Sequence, residues 1–254
     1  MKHIIRCQAG NALSYSEYGD RNGYPILIHH GLIASISSPH LFDRLITAGW
    51  RLICVARPGY GESSPYLMQN MANWGELVSV LVDTLALGEF DILGMSSGAP
   101  YSYAVGYKLP GQVRNIYIFS GTPALYDPGV LEFWPYPVTK NATIAEMQQV
   151  AKDVFFSNVT EDDQLSDDIR DSMANDCFGI AQDLCLRCRD WGFSLSEVTE
   201  RVYMQHSKTD GDVPFITAEM TAKLLPNCQF DAREGEHFST TALNTFIRST
   251  ILKE

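Results

Sequence analysis

The sequence predicts an α/β fold: a mostly parallel, eight-stranded sheet flanked by helices, with a helical insertion after its sixth strand. Three observations carry that expectation. Two strand-like runs open the chain. Short apolar runs then alternate with segments whose apolar residues return at the period of a helix. Over 123–197 the alternation stops and helical patterning takes over. Alternating strands and helices bury a parallel sheet between two layers, because each crossover lays a helix on one face.

The expected strands are 3–7, 12–18, 26–29, 51–55, 91–95, 113–119, 201–205 and 229–232. Segment 40–49 carries Leu41, Phe42, Leu45 and Ile46 at helical spacing, and Gly49 is placed to end it. Segment 70–88 shows a cleaner apolar stripe: Trp74, Leu77, Val78, Leu81, Val82 and Leu85. Helices over 97–109, 217–225 and 238–252 complete the set. Within 123–197, aromatics such as Trp134, Phe155 and Trp191 are either a small core or the wall of a cleft. Stretch 161–176 holds seven acids against the single base Arg170, the pattern of a solvated helix face. The expected organisation is a core of 1–122 and 198–254, with 123–197 a cap laid over it.

Composition narrows the function. The chain has 254 residues, 45% of them apolar, which is ample for a globular core. Its formal charge of −11 argues against nucleic acid and anionic membrane as partners, since Lys and Arg supply most affinity for both. No apolar run approaches the roughly 20 residues of a membrane span, and residues 1–11 lack a signal-peptide core. Six cysteines are too sparse for a disulfide scaffold, so reduced thiols and a cytoplasmic location are expected. Cys185 and Cys188 have metal-site spacing, but no second pair completes a site. No metal and no cofactor is expected. The expected partner is a small-molecule substrate, and a homodimer is left open.

The sharpest local motif is Gly94-Met95-Ser96-Ser97-Gly98. It follows a strand and opens a helix, the setting of a nucleophile elbow, whose turn is so sharp that the residues two before and two after the serine must be small. Two partners lie downstream. Asp210 falls in a turn after the seventh strand, with Asp212 two residues on, and His237 follows the last strand. A serine hydroxyl needs a neutral imidazole to take its proton, and a carboxylate fixes the imidazole tautomer.

The order Ser96, Asp210, His237 resembles that of the α/β-hydrolase superfamily. Further motifs strengthen the likeness. His30-Gly31-Leu32 resembles the family's oxyanion loop, and Arg57-Pro58-Gly59-Tyr60-Gly61-Glu62-Ser63 its R-P-G-x-G-x-S loop. Residues 205–214 resemble its H-G-x-x-D-x-x-V-P acid turn, with Ser207 in place of the glycine, and this register favours Asp210 over Asp212. The resemblance covers roughly 3–122 and 198–252 and implies the α/β-hydrolase fold. It also implies the backbone N–H groups of Leu32 and Ser97 as the oxyanion donors. Ala56 replaces the aspartate common before the arginine, a structural position. His29, His30, His40 and His206 are expected to be structural or surface residues.

The expected function is therefore a carboxylesterase-like serine hydrolase cleaving an ester or thioester of a small to medium, mainly apolar substrate. Two competitors stand beside it. One is a cofactor-free C–C bond hydrolase or lyase, which needs a cation for a substrate carboxylate; Lys140, Lys152, Arg170, Arg187 and Arg189 are the cap candidates. The other is a ligand receptor with vestigial turnover.

Overall fold

The computed structural model describes residues 2–7, 10–138 and 140–254. Its eight strands are β1 (Lys2–Arg6), β2 (Ala12–Gly19), β3 (Pro25–His29), β4 (Arg51–Val55), β5 (Phe90–Met95), β6 (Val113–Phe119), β7 (Arg201–Ser207) and β8 (Cys228–Arg233). They form one sheet in the order β1-β2-β4-β3-β5-β6-β7-β8. Strand β2 runs antiparallel to both β1 and β4, and every later pairing is parallel. The expected mostly parallel sheet is what the chain forms, and strand starts and ends fall within two residues of those read from the sequence.

Burial on both faces explains why the central strands are near-continuous apolar runs. Successive side chains of a strand point to opposite sides. Leu27, Ile53, Ile92 and Ile116 accordingly face a core built with helices α2 (Ala72–Thr84) and α3 (Ala99–Lys108). Ile26, Ile28, Cys54 and Leu93 face the opposite core, reached by Leu45 of α1 (Asp43–Thr47) and by Leu243 and Phe246 of α8 (Thr240–Phe246). The last helix continues from α8 as a π-type turn over Ile247–Leu252.

Between β6 and β7 lie α4 (Pro128–Leu131), α5 (Ile144–Phe155) and α6 (Asp167–Leu186); α7 (Phe215–Leu224) follows β7. Helix α5 starts with a capping box, in which Thr143 and Glu146 satisfy each other's backbone N–H groups. Helix α6 is broken at residues 174–177, where Asn175, Asp176 and Cys177 have φ of 51°, 61° and 63°. The break is pinned from below: Asn175 Nδ2 donates to the carbonyls of Gly59 (3.1 Å) and Ser63 (3.4 Å). Buried Met147, Ala151, Ile180 and Ala181 of α5 and α6 belong to the same apolar cluster as the sheet face. Among the described residues, no helix is long and apolar enough to cross a membrane.

Candidate active site

The central strand β5 ends at Met95, and Ser96 follows with φ of 47°, a left-handed conformation that is strained for a side-chain-bearing residue. The neighbouring glycines permit the turn. A Cβ on Gly98 would lie 2.3 Å from the His29 carbonyl oxygen, and one on Gly94 would lie 2.3 Å from Ser102 Oγ. Beneath the turn, Trp74 Nε1 donates to His29 Nε2 (3.2 Å), so His29 Nδ1 carries the proton and donates to Ser102 Oγ (2.9 Å). Ser102 in turn donates to the Gly98 carbonyl (2.9 Å). Burial, with help from the Arg57 charge, pulls the His29 pKa down to about 3, so the ring stays neutral. His29 is thus a support for the elbow.

His237, in the loop between β8 and α8, stands over Ser96. Its Nε2 is 2.9 Å from Ser96 Oγ, and its Nδ1 is 2.7 Å from Asp210 Oδ2. Asp210 has a fully buried side chain. Its Oδ1 accepts the backbone N–H groups of Asp212 (2.9 Å) and Val213 (2.8 Å). Burial pushes its pKa up, but the hydrogen bonds from His206, His237 and Val213 together outweigh burial and hold the carboxyl well below the usual range. Asp212 is exposed, and it is the Asp210 carboxylate that lies within hydrogen-bond distance of the imidazole. Asp210, Asp212 and His237 each offer one ligand atom within 4.8 Å of the others. The Asp210 and His237 donors of that group are already engaged with each other and with Ser96 and backbone N–H groups.

Two further side chains support these residues: His206, expected from the sequence to be structural or at the surface, and Arg233, which the sequence did not single out. Buried His206 Nε2 lies 3.2 Å from Asp210 Oδ2 and 3.0 Å from the Val213 carbonyl oxygen. Both neighbours are acceptors, so Nε2 is the protonated nitrogen, while the buried Nδ1 has no hydrogen-bond partner. The position of His206 at the head of the acid turn was the available signal. Arg233, at the end of β8, donates through Nη2 to the carbonyls of Glu236 (2.8 Å) and His237 (3.0 Å) and to Ser120 Oγ (3.1 Å). It fixes the loop that carries the imidazole, and nothing local in the sequence marks it.

Gly31 stands against Ser96: a Cβ there would lie 3.8 Å from Ser96 Cβ. The loop is clamped by buried Arg57, whose Nη1 and Nη2 donate to the carbonyls of His30 (2.6 Å) and Gly31 (2.8 Å). Arg57 Nη2 also reaches Asp183 Oδ2 of α6 at 2.6 Å. Tyr60 Oη lies 2.9 Å from both the same carboxylate and the Leu32 carbonyl oxygen, its one proton shared between them, and Tyr101 Oη donates to Asp183 Oδ1. One guanidinium therefore ties the His30 and Gly31 carbonyls to Asp183 of α6.

Above Ser96 and His237 opens a cavity of about 920 Å³. Gly31, Leu32, Ser97 and Thr122 line it from the sheet side, and Trp134, Val150, Val154, Leu184 and Arg187 from the insertion. A profile of the alpha/beta hydrolase fold matches residues 24–159, more than half of the chain and the part that contains residues 30–32 and the turn at Ser96. The chain belongs to the α/β-hydrolase family. Over 107 residues it is 29% identical to an uncharacterized hydrolase, YcgS, of Bacillus subtilis, a match spanning 42% of this chain and 37% of that protein. It is 25% identical over 247 residues to a non-heme chloroperoxidase of Streptomyces lividans, covering 89% of each. An esterase from Exiguobacterium antarcticum superposes on all of this chain and 98% of itself with a TM-score of 0.76 at 19% identity, a likeness of fold.

Proposed function

We propose that this α/β hydrolase is a serine esterase or thioesterase acting on a small to medium, mainly apolar substrate. The observation that carries the reading is the unbroken relay from Ser96 Oγ through His237 to Asp210, at 2.9 Å and 2.7 Å, on the floor of the large cavity. Each atom has a task in acyl transfer. His237 Nε2 accepts the Ser96 proton as Oγ attacks the ester carbonyl, and Asp210 holds Nδ1–H and stabilises the imidazolium. The backbone N–H groups of Leu32 and Ser97 receive the oxyanion, donors of a kind typically worth about 10²–10³ in kcat each. His237 then returns the proton to the leaving alkoxide or thiolate, and water repeats the sequence on the acyl-enzyme. In this reading 123–197 serve as a cap, and the apolar side chains of Trp134, Val150, Val154 and Leu184 accommodate the acyl chain.

A fluorophosphonate should label the protein at Ser96, and a panel of short-chain esters and thioesters should show turnover that Ser96→Ala removes. Failure to label would count heavily against the reading. Turnover of a dienoate diketone without ester cleavage would move the chemistry to the C–C bond. A ligand-induced thermal shift without turnover would move it to a receptor.

A further inference from the structure

Of the five insertion cations named in the sequence analysis, Arg187 is the one that lines the cavity among the described residues. The others are turned to different work where their contacts are seen. Lys152 pairs with Asp176 (2.6 Å), Arg170 with Asp167, and Arg189 donates to the carbonyls of Lys140 (3.1 Å) and Ala142 (2.6 Å). Arg187 follows the last residue of α6. Its guanidinium lies 5.5 Å from the centre of the Trp134 ring, beside the Cys188 thiol. Its buried Nε has no hydrogen-bond partner, and none of its nitrogens reaches a carboxylate among the described residues. An unpaired cation in a mainly apolar cavity is costly unless an anion arrives to share it.

The position is also specific. Arg187 lines a small cleft with Leu32, Ser97, Thr122, Leu184 and Asp183, and all of these except Asp183 line the large cavity too. The cation therefore sits on the oxyanion side of Ser96. Asp183, one turn earlier on α6, does not neutralise it, because its oxygens are taken by Arg57, Tyr60 and Tyr101. The remaining acids around the cavity are Asp168, which accepts from Ser35 N (2.8 Å) and Ser38 Oγ (3.2 Å), and exposed Asp212. One cation among these acids suits one carboxylate and disfavours a dianion.

We infer that Arg187 is a carboxylate-binding subsite, and that the substrates of this enzyme are esters or thioesters whose acyl chain ends in a single carboxylate, as in a half-ester of a short dicarboxylic acid. The inference rests on the esterase reading and adds the substrate class. A planar guanidinium takes a carboxylate through two parallel N–H···O bonds, with selectivity that a neutral chain end lacks.

The test compares monomethyl succinate, glutarate and adipate with methyl esters of the chain-matched neutral acids, by proton release. Wild type should prefer the half-ester for at least one chain length. In Arg187→Gln the ratio of kcat/KM for half-ester over neutral ester should fall about 10- to 100-fold, with Arg187→Lys keeping part of it. A preference for the neutral ester at all three lengths in wild type, or a ratio that moves less than threefold in both variants, overturns the proposal. Calorimetric binding of monomethyl glutarate to Ser96→Ala, set against Ser96→Ala/Arg187→Lys, needs no turnover. Arg187-dependent binding without hydrolysis would keep the subsite and fail the esterase reading; hydrolysis with Arg187-independent binding would do the reverse.

Discussion

The floor and the roof of the cavity are built on different principles. On the floor, Ser96, Asp210 and His237 project from the ends of β5, β7 and β8, where each position is fixed within a few residues of backbone. Gly94 and Gly98 permit the turn, and Asp212 and Val213 N–H groups hold the carboxylate. The roof is held from far away in sequence. Asp183 is gripped by Arg57, Gln182 Oε1 accepts Met68 N–H (2.8 Å), and Asn175 reaches Gly59. The floor is thus set largely by local backbone geometry, and the roof by long-range packing.

That contrast can be broken most severely on the floor. Asp210→Asn should lower kcat by about 10⁴, the cost measured in the serine-protease template, with the protein still folded by circular dichroism. Asp212→Asn should stay within about tenfold of wild type, as expected for an exposed turn residue. The reverse pattern would exchange their roles.

A break at the roof should register as stability. Asp183→Ala leaves the Arg57 guanidinium buried without its carboxylate, a change worth about 3–5 kcal/mol in urea unfolding. A loss below about 1 kcal/mol would show that the two layers are not joined there. A gentler change sharpens the comparison: Val154→Trp narrows the roof and should reorder acyl-length preference by about tenfold, while fluorophosphonate labelling at Ser96 persists. An unchanged chain-length profile would remove Val154 from the acyl wall.

A further expected effect is on pH. His29 has its pKa lowered in the folded chain to about 3. The unfolded chain therefore binds a proton near its ordinary value of about 6.5 that the folded one refuses. Stability from this group is complete above about pH 6.5 and drains away as pH falls towards 3. His30, lowered by burial and by Arg57, acts in the same direction. Tm should decline between pH 7 and pH 5, and a flat profile would contradict the neutral assignment of these rings.

Much of the floor was legible because its constraints act over a few residues. The glycines of the elbow, the register that chose Asp210, and the histidine after the last strand all leave marks in short windows. Strand positions were legible for a related reason: Ile26-Leu27-Ile28 and Leu52-Ile53-Cys54-Val55 are apolar on both faces because both faces are covered. The rest was hidden by distance. Nothing near Arg233 shows that it holds the His237 loop, and Asp183 sits in a helix whose partner lies 126 residues earlier. The break in α6 was equally unreadable, since Asn175-Asp176-Cys177 adopts left-handed geometry without a glycine.

The Arg57 clamp has a mechanical consequence. One side chain holds the His30 and Gly31 carbonyls and the Asp183 carboxylate, so the loop after β3 and the end of α6 share a single set of bonds. Any displacement of the Asp183 carboxylate is therefore transmitted through one guanidinium to the His30 and Gly31 carbonyls, and a displacement of those carbonyls is transmitted back to Asp183.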